Sequence, residues 1–185
     1  FFALAVLGVV ALGVGLTMPA PRFEYVHERP AGFDRRALLG VSVAMACYVG
    51  AEVTIFGWAP AVMELYHDVP AGRARLAPTL FWIGMFLGRV SVGRLTDRFG
   101  TARLLKGSTL LAIAGTVAVV LAPSEIILWA AIAASALGCA GIWPLIVAGS
   151  GSGGDERATT IIVAAGGVGA GVFPYLAGLT AEILP

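Results

Sequence analysis

Glu52 is the one acidic residue deep inside an apolar stretch of this chain, and Tyr48 precedes it by four positions. On a helix that spacing stacks the two side chains on one face. An ionised carboxylate in hydrocarbon is costly, so such a group faces a wet cavity, finds a partner or carries a proton. A carboxyl group reached by water from alternating sides can bind and release a proton, which is the chemistry a coupling site needs. A phenol one turn away can hold that carboxyl or a solute hydroxyl. The competing reading is a protonated Glu52 that bonds a neighbouring helix for packing alone.

Two indoles lie beside residues that disturb helices. Trp58 follows Gly57 and precedes Pro60, and Trp143 sits between Gly141 and Pro144, with Gly138 nearby. The expectation is a pair of discontinuous helices whose freed backbone groups help form a solute site near the membrane midplane. A sugar presents C–H faces and hydroxyls, which suit an aromatic platform and an indole donor. The alternative is packing or an interfacial role for both rings. Trp82 and Trp129 lie nearer the ends of apolar segments and read as interfacial aromatics.

No other catalytic chemistry is legible. There is no Ser/His/Asp set, His/Cys cluster or paired carboxylate, so no enzyme, metal or cofactor is expected. His27 and His67 fall in polar stretches and read as solvated, while Cys47 and Cys139 fall in apolar ones and read as small buried hydrophobes. Gly166-Gly167-Val168-Gly169-Ala170-Gly171 superficially matches a dinucleotide fingerprint but has no preceding strand or following acidic residue in a soluble setting.

The elements that must position these residues are membrane spans. Of 185 residues, 58% are hydrophobic and 12% charged, with a mean hydropathy of +0.90. Soluble domains carry about 25% charged residues. The formal net charge of +1 gives no reason to expect nucleic-acid binding. A bilayer core needs about 20 apolar residues of helix, and six segments qualify, at roughly 1–19, 37–65, 77–95, 102–121, 125–148 and 158–183. Gly84-x-x-x-Gly88 and Gly167-x-x-x-Gly171 are candidate faces for close helix packing. The chain starts at Phe1-Phe2 and stops at Pro185 after an apolar run, and it reads as an internal fragment.

Polar stretches separate the spans and alternate sides. Those at 21–36, 93–106 and 149–157 hold nine Lys/Arg, against two in 66–75 and 122–125. The positive-inside rule puts the first group in the cytoplasm. Arg89, near the end of the third span, is expected to snorkel to that surface.

Gly93-Arg94-Leu95-Thr96-Asp97-Arg98-Phe99-Gly100 cannot lie in a bilayer centre and is expected as a tight charged loop at its edge. With Arg103 behind it, this stretch resembles the loop signature of the major facilitator superfamily of secondary transporters, although Ala102 stands where a second basic residue is frequent. Tyr48 to Trp58, Phe81 to Arg89, Gly141-Ile142-Trp143-Pro144 and Gly166 to Gly178 resemble helices seven, eight, ten and eleven of the superfamily's fucose–galactose–glucose symporter group.

The resemblance implies an all-α membrane protein whose six spans are helices six to eleven of a twelve-helix fold. Residues 1–20 would be the last helix of the N-terminal half, 21–36 the central cytoplasmic loop and 37–185 an incomplete C-terminal bundle. It implies alternating-access transport of a small polar solute such as a monosaccharide, driven by protons, with sodium as second choice. Glu52, Tyr48, Trp58 and Trp143 would serve coupling and solute, and Gly93, Asp97, Arg98, Gly100 and Arg103 would form the conformational loop. Implied partners are the lipid bilayer and the missing N-terminal half, and the implied location is the cytoplasmic membrane. A proton-coupled drug or metabolite exporter and a non-transporting scaffold or sensor remain open.

Overall fold

The computed structural model describes residues 35–151 and 155–183. The expected first span and the central loop up to residue 34 lie outside the described residues. The order is α1 (Arg35–Tyr66), α2 (Ala71–Ala74), α3 (Ala77–Phe99), α4 (Thr101–Leu121), α5 (Glu125–Gly151) and α6 (Glu156–Ile183). No strand occurs among the described residues. Five helical stretches, with α2 and α3 taken as one, are long and apolar enough to cross a membrane.

Apolar residues run almost all the way round these helices, as expected where lipid replaces water on the outside. Large side chains such as Phe86, Leu110 and Ile126 point outward at 67%, 58% and 82% exposure. In water such a surface would aggregate; in a bilayer it is solvated. The chain is therefore an integral, multi-pass membrane protein.

Backbone chemistry sets the boundaries. Pro78 in the first turn of α3 gives up an N–H that has no helical partner there. The Asp155 carboxylate accepts from the amides of Arg157 and Ala158 at 3.0 and 3.1 Å, capping α6. Gly100, at φ 77° and ψ 151°, ends α3 and starts α4 in a backbone conformation nearly closed to other residues.

Small residues decide which helices touch, because lipid provides no hydrophobic drive between spans. α5 is the central post. Gly84 and Gly88 of α3 abut Ala136 and Ala140 of α5, so the first expected glycine face packs as a close contact. Gly115 of α4 lies against the Ser135 backbone of α5, and Gly138 of α5 lies against the Ala112 backbone of α4. Buried between them, Thr116 and Ser135 share a hydroxyl hydrogen bond at 3.1 Å. On the other side α1 pairs with α6, where Gly169 fits against the Ala46 carbonyl and Gly50 against Phe173. The expected Gly167/Gly171 face is not the one used. Both glycines have open space beside them, and the contact runs through Gly166 and Gly169 instead.

Two further expectations change. Pro60, Pro144 and Pro174 all lie inside continuous helices. A proline removes one helical hydrogen bond, and neighbouring helices let a membrane span continue through that loss. His67 is half-buried, not solvated: its Nε2 lies 3.1 Å from the Val119 carbonyl, tying the end of α1 to the end of α4.

Candidate functional site

The site is built on the face of α1 that carries Met45, Tyr48, Glu52, Ala59 and Met63, all buried. Tyr48 and Glu52 are 2% and 7% exposed. The helical repeat stacks them, and the Tyr48 hydroxyl is in hydrogen-bond contact with Glu52 Oε2. The same hydroxyl reaches across to α5 and lies 2.8 Å from the Cys139 carbonyl oxygen. One phenolic oxygen thus links a membrane-embedded carboxyl group to the backbone of a second helix. Cys139 itself is buried and free, as is expected of a small apolar side chain, and Cys47 is free and half-buried.

The two indoles part company. Trp58 lies on a different side of α1 from Glu52, with its ring edge 3.5 Å from where a side chain on Gly178 of α6 would begin. It closes the α1–α6 contact and does not join Tyr48 and Glu52. Trp143 is 36% exposed, one helical turn beyond Cys139 on α5. It flanks the level at which Tyr48 meets that helix. Among the other indoles, Trp82 lies 5.4 Å from the Phe56 ring, and Trp129 Nε1 donates to Glu125 Oε1 at 3.1 Å. Glu125 also pairs with Arg73 at 3.1 Å, so this end of the bundle carries a polar latch.

The charged stretch Gly93–Gly100 is not a loop. α3 continues through Phe99 and α4 begins at Thr101, leaving Gly100 as the single connecting residue. Alternating apolar and polar residues with no proline keep the helix wound beyond the apolar span. Asp97, Arg98 and Arg103 are exposed, and the Arg98 guanidinium sits 5.3 Å from the Phe99 ring centre. No close helix approach occurs at Gly93 among the described residues, since nothing lies within 4 Å of its Cβ position.

One residue that the sequence assigns to the cytoplasmic surface also stands near Glu52. Arg89 is exposed on α3 and lies within electrostatic range of both Tyr48 and Glu52. Its neighbour Gly88 abuts Ala140 of α5.

No metal-binding group of His, Cys, Asp or Glu occurs among the described residues. No protein-family model, curated protein or solved structure matches the chain.

Proposed function

We propose that this chain is part of a secondary transporter that moves a small polar solute across the cytoplasmic membrane by alternating access, coupled to protons. The reading rests on one observation above the others: Tyr48 contacts Glu52 and the Cys139 carbonyl together. A phenol has one proton to donate. With Glu52 ionised, that proton serves the carboxylate, and the α5 carbonyl goes without it. With Glu52 protonated, the carboxyl group donates to the Tyr48 oxygen and the phenol donates to Cys139. Proton binding at Glu52 thereby fastens α1 to α5, and proton release unfastens them. A carboxyl group whose protonation changes an interhelical tether is a device for linking a proton to a conformational change.

The loop-signature resemblance favours transport over a scaffold, and the symporter-group resemblance favours a sugar-sized solute. The residues of the exposed Gly93–Arg103 region would then contact helices of the other half of the transporter as it changes conformation.

Uptake by the full-length protein in proteoliposomes tests this. Labelled monosaccharides are offered under an imposed inward proton gradient, with and without Glu52→Gln. Gradient-driven uptake that collapses in the variant supports the reading. Uptake that survives it removes Glu52 from the coupling path. Proton release exchanged for an outward-moving apolar cargo moves the exporter reading to first place, and no solute-dependent proton movement of any kind points to a scaffold.

A further inference from the structure

Among the described residues, Arg89 is in salt-bridge contact with no carboxylate. Glu52, the nearest carboxyl group on the facing helix, is held by the Tyr48 hydroxyl instead. Its guanidinium keeps its proton under all ordinary conditions. The sequence alone placed it at the cytoplasmic edge, yet α3 runs ten residues beyond it to Phe99.

Three contacts fix its depth and direction. Gly88 packs on Ala140, which puts Arg89 and Cys139, the next residue on each helix, at the same crossing of α3 and α5. Cys139 is where Tyr48 reaches α5, so the Tyr48–Glu52 pair belongs to that level too. Arg89 also follows Trp82 by two helical turns on one stripe of α3, and the Trp82 ring meets Phe56, one turn beyond Glu52 on α1. Arg89 therefore occupies the flank of α3 that borders Glu52. Trp143, one turn beyond Cys139 and partly exposed, borders the same level from α5.

A permanent cation inside a span is stabilised by water and by an anion that it can grip. Glu52 is not free to be that anion while Tyr48 holds it. From this geometry we propose that Arg89 is the docking group for a carboxylate on the transported solute, so that the small polar solute carries a negative charge, as a sugar acid does. The planar guanidinium matches a carboxylate through two parallel hydrogen bonds. The inference rests on the transport reading and refines its solute. It has a charge consequence: a monoanion moved with one proton carries no net charge, whereas a neutral sugar moved with one proton carries one positive charge.

The test uses the full-length protein in liposomes. D-glucuronate and lactate are compared with D-glucose and D-galactose, under a fixed proton gradient at two membrane potentials, in the native protein, R89Q and R89K. The expected result is anion uptake that is indifferent to potential, reduced at least tenfold by R89Q and partly retained by R89K, which keeps the charge but loses the fork. R89K also shows whether the site survives when R89Q fails to fold. Proton-driven glucose or galactose uptake untouched by R89Q overturns the docking role and leaves the transport reading standing, with Arg89 a snorkelling residue. Movement of neither anions nor neutral sugars, with Glu52→Gln also silent, overturns both.

Discussion

Tyr48 and Cys139 stand 91 positions apart in the chain, and the Tyr48 hydroxyl meets the Cys139 carbonyl at 2.8 Å. That bond crosses from α1 to α5, the two helices that separately organise the α1–α6 pair and the α3–α4–α5 cluster. Tyr48→Phe removes it together with the contact to Glu52 while preserving the ring. The expected loss is roughly 1–2 kcal/mol, the range for a hydrogen bond between membrane helices. Unfolding by titration with a denaturing detergent measures it, and an unchanged midpoint means that the link is not made in the folded protein.

Glycines with close neighbours and glycines without them should respond in opposite ways. Gly138→Ala drives a methyl group into the Ala112 backbone and is expected to destabilise by roughly 1–3 kcal/mol. Gly171→Ala meets open space and should be neutral or stabilising by up to about 1 kcal/mol, because alanine is the better helix former. Thermal unfolding of the two variants side by side decides it. Equal losses would mean that α4 and α5 do not cross at Gly138.

Gly100 is the sole residue between α3 and α4, and its φ of 77° with ψ of 151° is a conformation that side chains resist. Gly100→Ala should cost roughly 1–3 kcal/mol even though no atom crowds the site. The same substitution at Gly93, also uncrowded but helical, should cost nothing measurable. A stable Gly100→Ala variant would show that the junction has another geometry.

The indoles separate structure from solute binding. Trp58→Phe is expected to lower stability through its α6 contact and to leave solute affinity alone. Trp143→Phe should do the reverse, weakening solute binding about two- to tenfold, the worth of one aromatic contact. Binding isotherms with a transported solute read both. Loss of affinity confined to Trp58→Phe would relocate the solute to the α1–α6 side.

The spans were legible because hydropathy depends on composition, and the described helices begin and end within four residues of the expected limits. Glu52 and Tyr48 were legible because a carboxyl group in an apolar run is rare and helical spacing is fixed. What escaped depends on partners. Nothing in Gly57 or Pro60 says whether a neighbouring helix will carry α1 through unbroken. Gly167 and Gly171 have the spacing of a packing face, but Gly166 and Gly169 are the ones turned toward α1, a matter of helix rotation. The end of α3 lies four residues past the expected limit because its charged turns stay helical to Phe99, which hydropathy does not register.

The pairing of α1 with α6 joins the first and last of the described helices. A ribosome delivers them in the opposite order to their need. α3, α4 and α5 can settle together as soon as α5 emerges, whereas the Ala46–Gly50 side of α1 has no close-fitting mate until Phe173 has been synthesised. A nascent chain halted at Gly151 would hold its central cluster and its Tyr48 link, yet leave the Ala46–Gly50 side of α1 without its close-packed neighbour. Among the described helices, the closest packing of α1 is thus completed only by the one made last.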